Sequence, residues 1–370
     1  MTDKGMPAGR LLSLDAFRGL TIAGMILVNN PGSWSHIYAP LRHAEWHGWT
    51  PTDLIFPFFL FIVGVAIPFS FGKRLLRGGS KGGLHGHVIR RSVILFALGL
   101  FMAAYPRFDL GNLRIMGVLQ RIGLVYLLAA SSFLYLGRRG RVWVVPVLLV
   151  GYWALLTFVP VPGSGPGDLS PEGNLGAYLD RMILGDRLWR GTWDPEGLLS
   201  TLPAMATTLL GIFTGEWLGS ERTPGTKAIG LFAGGAVGMG LGLVWGLGFP
   251  INKALWTSSY VLFTAGAGLL LLGVFFWVME VRGRQAWAKP FTVYGMNAIA
   301  VFVASGLVAK QMGLTRVGPQ EVPLKAWIYE GLFASWAGSL NGSLLFAISY
   351  VSIWLAIMWV LYHRRIFIKI

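Results

Sequence analysis

The amino-acid sequence predicts an all-α integral membrane protein, a bundle of about ten transmembrane helices with both termini in the cytoplasm. The 370 residues are 54% hydrophobic and only 13% charged, whereas soluble domains carry about a quarter charged residues. Apolar runs of about 20 residues recur along the whole chain, and each can cross a hydrocarbon core of about 30 Å as a helix. Helices are expected because backbone exposed to lipid must satisfy its own hydrogen bonds.

Ten apolar segments are predicted to span the membrane. They are 11–30, 53–72, 88–105, 115–136, 142–160, 198–219, 228–247, 256–280, 291–309 and 343–362. The first lacks a small-residue cleavage site after its apolar run, which indicates a retained helix rather than a signal peptide. We predict one membrane domain, 1–370. Its longest loops are the connections 31–52, 161–197 and 310–342.

The distribution of Lys and Arg predicts the orientation. Basic residues are denser in connections on the N-terminal side, as in 73–91 and 137–141, than in the longer connections opposite them. Cytoplasmic loops carry this excess, so we expect both termini in the cytoplasm of a bacterium, an inner-membrane location and extracytoplasmic connections at 31–52, 161–197 and 310–342. The net charge of +15 is therefore attributed to basic residues that set the orientation in the membrane. We expect a lipid bilayer as the environment and no nucleic-acid partner.

Polar residues concentrate between the first two predicted spans. The set is Asn29, Asn30, His36, His43, Glu45, His47 and Asp53. Ionisable groups at the edge of a span are costly and suggest function, and an imidazole near a carboxylate can transfer protons. The residues alone do not choose among the three histidines. Asp53 suits the first turn of a helix, where the dipole favours a carboxylate, and it can also orient an imidazole.

Further polar residues lie within or beside other spans, and each has two interpretations. Arg18 lies one helical turn from Asp15, which favours an ion pair or a contact with an anionic ligand. Gln120 and Arg121 lie well inside the fourth span, where an arginine must face a partner such as Glu216 or a bound phosphate. Asn252 lies just before the eighth span and Asn297 within the ninth; asparagines in such places are typical either of contacts between helices or of ligand binding.

Some site types are not predicted. Gly234, Gly238, Gly242 and Gly246 recur every four residues, but no strand precedes them as a dinucleotide fingerprint requires; this spacing favours close helix packing. The chain has no cysteine, and its histidines lack a metal-ligand spacing. We therefore predict no metal site.

Six ordered segments carry a resemblance to a known family. They are RLLSLDAFRGLTIAGMILVNN (10–30), LRHAEWHGWTPTDLIFPFFLFIVG (41–64), LRIMGVLQRIGLVY (113–126), WDPEGLLSTLPA (193–204), INKALWTSSYV (251–261) and PFTVYGMNAIAVF (290–302). Together they resemble the bacterial relatives of heparan-α-glucosaminide N-acetyltransferase, a transmembrane acyltransferase family. The spacing between Asn29 and His43 is slightly longer than in the lysosomal enzyme.

The resemblance implies transfer of acetyl from cytoplasmic acetyl-CoA to the amine of a glucosamine-type sugar across the membrane. It implies that His43 is the catalytic histidine, with Asn29 and Asp53 beside it, and that His43 is a general base or itself carries the acetyl group. The expected acetyl-CoA contacts are Arg18, Arg74, Gln120, Arg121 and Asn297. The expected contacts with the acceptor sugar are Glu45, Trp46 and Asn252.

Two other functions stay open on the sequence. One is an O-acetyltransferase of a cell-envelope polysaccharide, since the sequence does not identify the acceptor. The other is a transporter of an amino sugar or anion, which would need no acetyl-CoA. Assembly into a homodimer also stays open on the sequence.

Overall fold

A computed structural model describes residues 11–76, 78–189 and 191–368. Helices dominate the described chain. They are α1 Leu12–Asn29, α2 Ile55–Leu76, α3 Lys81–Ala104, α4 Val118–Tyr135, α5 Arg138–Phe158, α6 Leu175–Leu184, α7 Thr201–Leu218, α8 Pro224–Gly246, α9 Ser258–Phe276, α10 Lys289–Met296, α11 Ala298–Leu314, α12 Leu324–Tyr329, α13 Ser335–Ala337 and α14 Ser339–His363. A two-residue hairpin, β1 Arg316–Val317 and β2 Val322–Pro323, lies between α11 and α12.

The prediction of an all-α integral membrane protein is confirmed. Within the described residues, eight helices are long and apolar enough to cross a membrane, and the pair α10–α11, bent by 71°, brings the number to nine where it is counted as one broken span. The remaining predicted span, 198–219, is the 18-residue helix α7, which is not among those eight. Four threonines make α7 more polar than its neighbours. It lies inside the bundle against α2 and α4, where Thr207 and Thr208 are fully buried.

Small residues allow neighbouring helices to pack closely, as the glycine spacing in α8 predicts. Gly238 faces Gly266 of α9, and a Cβ on Gly266 would lie 2.3 Å from the backbone nitrogen of Met239. A Cβ on Gly64 of α2 would likewise lie 2.0 Å from the carbonyl oxygen of Thr208. Close backbone approach supplies the packing that holds helices together in lipid, where no hydrophobic driving force acts between them.

Contacts between helix termini define two ends of the bundle. At the upper end, Tyr260 at the start of α9 donates a hydrogen bond to the carbonyl of Asp53, at 2.5 Å. Trp256, just before α9, donates to Thr207 near the start of α7, at 3.1 Å. The upper end is thus where α2, α7 and α9 begin and where α1 terminates.

The lower end holds the beginning of α1 and the segment after α14. Gly295 at the end of α10 packs against the backbone of Asp15. The amide of Asn297 donates to Ile366 at 3.1 Å and accepts from the backbone of Ile368 at 2.8 Å. The first and last described residues therefore lie at the same end, as an even number of crossings requires. Residues 1–10 and 369–370 lie outside the described residues, and the cytoplasmic placement of the termini stays a prediction.

Candidate active site at the upper end

Asp53 and His43 form a direct pair at the upper end. The carboxylate is 1% exposed, and its Oδ1 lies 2.6 Å from Nδ1 of the half-exposed imidazole. The second oxygen, Oδ2, accepts hydrogen bonds from the backbone nitrogens of Ala44 and Thr50, at 3.0 and 3.1 Å. The Thr50 hydroxyl lies 3.1 Å from Oδ2 and donates to the carbonyl of Arg42 at 2.6 Å. A carboxylate held this way keeps the Nδ1 proton on the imidazole, so Nε2 is the nitrogen that can accept another proton.

Local sequence explains how Asp53 is held. The 3₁₀ turn Pro51–Leu54 begins with Thr50 as its cap and leads directly into α2. Asp53 is the third residue of this turn, so its side chain reaches back to the free backbone N–H of Thr50 in a capping box. The Asp53 side chain therefore both caps the turn before α2 and orients the imidazole, as the two interpretations of this residue predicted.

The loop that carries His43 is tied to the segment before α9. Asn252 is fully buried, and its side-chain nitrogen donates to the carbonyl of Trp46 at 3.0 Å. Gly48 donates to the carbonyl of Ile251 at 2.8 Å and has φ +96°, a conformation that favours glycine. These contacts fix the loop over α9, and they give Asn252 a scaffolding contact; its contact with a sugar stays a prediction.

Lys253 is a member of the cluster that sequence reasoning missed. Its Nζ lies 3.0 Å from Nδ1 of His43, 3.4 Å from Nε2 and 3.3 Å from Oδ1 of Asp53. Burial lowers the pKa of Lys253, an effect partly opposed by the negative charge of Asp53. The available signal was its place in the segment INKALWTSSYV, beside Asn252.

The other predicted site residues of the upper end differ in their burial. Asn29 is the last residue of α1 and is exposed, and its side chain makes no hydrogen bond within the described ranges. Glu45 is also exposed. Trp46 is partly buried, donates to the carbonyl of Leu169 at 2.8 Å, and meets Trp193 edge to face at 5.0 Å between ring centroids.

A small cavity adjoins the cluster on the Trp46 side. Its lining includes Trp46, Trp193, Asn174, Asp180 and Ala254. Asp180 is 2% exposed and accepts a hydrogen bond from the backbone of Leu198 at 2.8 Å. Burial raises the pKa of Asp180 to about 6. The cavity thus combines aromatic faces with a carboxyl group.

The segment WDPEG supplies a buried ionic cluster beneath that cavity. Arg114 binds Asp194 through two hydrogen bonds, at 2.8 and 2.6 Å, and Glu196 through one at 2.5 Å. Burial acts to lower the pKa of Arg114, but these carboxylates outweigh it and raise the pKa. Bidentate pairing of this kind fixes geometry as well as charge, so it holds the connection that precedes α7.

The five predicted acetyl-CoA contacts are divided between the two ends. Arg18, Arg74 and Asn297 belong to the lower end, where Arg18 pairs with Asp15 at 3.0 Å and Arg74 is exposed. Gln120 and Arg121 lie in the first turn of α4, near the upper end. Their contact with acetyl-CoA stays a prediction.

Arg121 is enclosed by protein rather than open to a ligand. It is fully buried and donates to the carbonyls of Pro195 and Gly197, at 3.1 and 2.9 Å, and to the hydroxyl of Ser200. The alternative carboxylate partner, Glu216, instead pairs with Arg141. A phosphate would reach Arg121 only after these bonds opened. Gln120 is also buried, packed against Gly99.

The described residues contain no group of three or more His, Asp or Glu placed to hold a metal ion. The upper-end cluster instead offers an imidazole base, a carboxylate that orients it and an ammonium donor. Fold and site together define a multi-pass helical membrane protein with a cluster of His43, Asp53 and Lys253 at one end of its bundle.

Comparison with known proteins gives the family. The model described as "Heparan-alpha-glucosaminide N-acetyltransferase, catalytic" matches residues 10–240, which include His43 and Asp53, and the chain belongs to this family. Heparan-alpha-glucosaminide N-acetyltransferases of Mus musculus and Homo sapiens are each 30% identical to it over 98% of its length. The chain spans 61% and 60% of those two proteins. The resemblance drawn from the six segments is confirmed.

Proposed function

We propose that the protein is a transmembrane acetyltransferase that moves acetyl from acetyl-CoA to the amine of a glucosamine-type sugar. The observation that carries this proposal is the Asp53–His43 pair at 2.6 Å, with Nε2 available, inside the region matched by the family model. The acetyl donor, the acceptor and the sidedness are parts of the proposal. Family membership supports the acetyl transfer, and the geometry supports the choice of base.

The proposed chemistry is a direct transfer. The sugar amine attacks the thioester carbonyl carbon while His43 Nε2 removes a proton from the amine nitrogen. The new C–N bond forms, the C–S bond breaks, and the proton passes from His43 to the departing thiolate. Asp53 holds the Nδ1 proton and stabilises the imidazolium formed midway, as a carboxylate does for a histidine base. Asn29, at the end of α1, positions the amine or polarises the thioester carbonyl.

The alternative chemistry gives His43 the acetyl group before the amine arrives. This ping-pong route needs the same free Nε2. An acetyl-histidine isolated after incubation with acetyl-CoA without acceptor would establish it. Absence of that adduct, with transfer requiring both substrates together, would support the direct route.

The donor is proposed to enter from the lower end. Arg18 and Arg74 lie there, and their charges suit the phosphates of acetyl-CoA. The 18 residues of α1 separate the ends by about 27 Å, a distance that requires the narrow pantetheine arm to pass between helices. The acceptor is proposed to lie at the upper end against Trp46 and Trp193, with Glu45 within reach.

The testing experiment measures transfer from labelled acetyl-CoA to glucosamine by the purified protein in detergent. Removing the base should lower the rate about 10²- to 10⁴-fold, so we expect His43→Ala to be nearly inactive. The matched control is His36→Ala, an exposed histidine of the same loop, which should keep wild-type activity.

The outcomes separate the candidate functions. Wild-type transfer that is unaffected by His43→Ala would contradict the assignment of the base. Acetyl-CoA binding without transfer to glucosamine, but with transfer to a hydroxyl of a cell-envelope glycan, would favour the O-acetyltransferase. Sugar flux into vesicles without any acetyl-CoA requirement would favour the transporter.

A further inference from the structure

We propose that Lys253 donates a hydrogen bond to the thioester carbonyl oxygen and stabilises the negative charge that forms there during acetyl transfer. This inference rests on the proposed function and adds a residue to it. The ammonium already adjoins the base, at 3.0 and 3.4 Å from the two ring nitrogens of His43. Acyl transfer develops an oxyanion, and a donor fixed near it is commonly among the largest contributions to catalysis.

The two distances locate the ammonium relative to the imidazole. The lone-pair directions of Nδ1 and Nε2 diverge, so an atom almost equally close to both cannot lie in line with either. Nδ1 is in any case committed to Asp53 at 2.6 Å. Lys253 therefore lies over the ring and leaves the Nε2 lone pair open to the attacking amine.

The hydrogen bonds of Asp53 leave part of the ammonium unused. Oδ2 already accepts from the backbone of Ala44 and Thr50, and Oδ1 contacts the imidazole of His43 and lies 3.3 Å from Lys253 Nζ. An ammonium has three N–H donors, and only one can point at Oδ1. The others are left for a further acceptor beside the half-exposed imidazole.

The backbone turn that presents Lys253 is rigid. Thr257 donates to the carbonyl of Asn252, and Trp256 donates to the carbonyl of Lys253, each at 3.1 Å. Leu255 donates to the side-chain oxygen of Asn252 at 2.8 Å. Trp256 has φ +53° and is fully buried, a strained conformation that clusters at functional sites. A donor on such a turn needs little reorganisation when charge appears.

The step balances without any further reactant. The amine nitrogen adds to the carbonyl carbon, and the carbonyl electron pair moves onto oxygen, which accepts a hydrogen bond from Lys253. The pair returns as the C–S bond breaks, and His43 carries the amine proton to the thiolate. Lys253 keeps its proton throughout.

This role requires a charged ammonium and therefore predicts an alkaline limit to activity. Burial lowers the pKa of Lys253, and the carboxylates of Asp53 and Glu196 oppose part of that change. The groups that face it are His43, Asp53 and Glu196. Wild-type kcat should fall as rising pH removes the Lys253 proton. Arginine stays protonated in this range, so Lys253→Arg should move the alkaline limb to higher pH.

The test compares Lys253→Met, Lys253→Arg and the wild type in the acetyl-transfer assay. Loss of one oxyanion donor should lower kcat of Lys253→Met about 10²- to 10³-fold, with KM for acetyl-CoA changed less than about threefold. Lys253→Arg should retain at least about a tenth of wild-type kcat. The matched control is Lys325→Met, a partly buried lysine beside Trp34, which should behave as wild type.

A double-mutant cycle separates a direct role from one exerted through Asp53. If Lys253 only holds the carboxylate, Lys253→Met should cost nothing further in Asp53→Asn protein. The proposal expects the additional loss to persist there. Retained binding of acetyl-CoA shows that a variant is folded, and Lys253→Gln replaces Lys253→Met if the latter does not bind.

Each outcome bears on one claim. An active wild type with Lys253→Met within threefold of it, or an unmoved alkaline limb in Lys253→Arg, would overturn the role of Lys253 and leave the proposed function standing. A wild type that transfers no acetyl to any amine or hydroxyl acceptor would overturn the proposed function, and this inference with it.

Discussion

Asp53 uses its two oxygen atoms for different purposes. Oδ2 caps the turn before α2 through Thr50 and accepts from the loop backbone at Ala44, while Oδ1 binds the imidazole of His43. Ten residues separate Asp53 from His43, and the turn before α2 brings them together. When that turn folds, it therefore also brings Asp53 to His43. The residue that marks the start of the helix in the sequence is the same residue that contacts the imidazole.

Sequence reasoning found this pair because both partners lie in one short segment. It missed Lys253, which is 210 residues from His43 along the chain. Such a contact depends on how α1, α2 and α9 pack, and the spacing of apolar residues in the sequence does not predict that packing. The same limit explains Arg121, whose place inside a span was clear but whose partners, Pro195 and Gly197, lie in a distant connection.

Asp180 gives a prediction about pH and stability. Burial raises its pKa from 3.8 to about 6, so the native protein holds a proton that the unfolded chain releases earlier. The free energy of unfolding should therefore fall as pH rises from about 4 to about 6 and then level off. The raised pKa corresponds to about 3 kcal/mol in favour of the protonated carboxyl.

Asp180→Asn should remove this contribution, because the amide does not titrate and still accepts from Leu198. The measurement is thermal unfolding of both proteins in detergent between pH 4 and 7. The difference in Tm should move in favour of the variant as pH rises. A difference independent of pH would contradict the raised pKa.

At the scale of elements, helix contacts decide how the site is held. The 31–50 connection rests on α14 through Gly32, which donates to the carbonyl of Ser343 at 3.1 Å, and on the α8–α9 turn through Gly48. The packing of α8 on α9 therefore sets where both Lys253 and His43 lie. The spacing of glycines in α8 predicted that packing, although it did not identify Gly266 as the opposing residue.

Gly266→Ala should separate α8 from α9. Its Cβ would lie 2.3 Å from the backbone of Met239, and overpacking of this kind typically costs about 1–3 kcal/mol. The matched control is Gly240→Ala in α8, where a Cβ meets nothing within 4 Å. We expect a lower Tm for Gly266→Ala alone, measured in detergent. Equal Tm values for the two variants would show that the contact is not tightly packed.

At the scale of the whole molecule, composition was enough to predict the class, and the recurrence of apolar runs located the eight helices that are long and apolar enough to span a membrane. Two features needed the structure. The ninth predicted span is interrupted at Asn297, between α10 and α11. The side chain of Asn297 hydrogen-bonds the backbone of Ile366 and Ile368. The connection 310–342 folds into a hairpin and short helices, which no apolar pattern marks.

The proposed reaction requires the two ends of the bundle to face opposite sides of the membrane, with His43 outside the cytoplasm. The chain has no cysteine, so single cysteines can report the orientation without any background to remove. Glu45 is exposed at the upper end, beside the site, and Glu221 is exposed at the lower end, between α7 and α8. The positive-inside rule places Glu221, beside Arg222 and Lys227, in the cytoplasm.

A membrane-impermeant maleimide added to intact cells should therefore label Glu45→Cys, and should label Glu221→Cys only after the membrane is permeabilised. Retained binding of acetyl-CoA shows that each variant is folded. Labelling of Glu221→Cys but not Glu45→Cys in intact cells would reverse the orientation. His43 would then face the compartment that supplies acetyl-CoA, and the donor would have no need to cross the bundle.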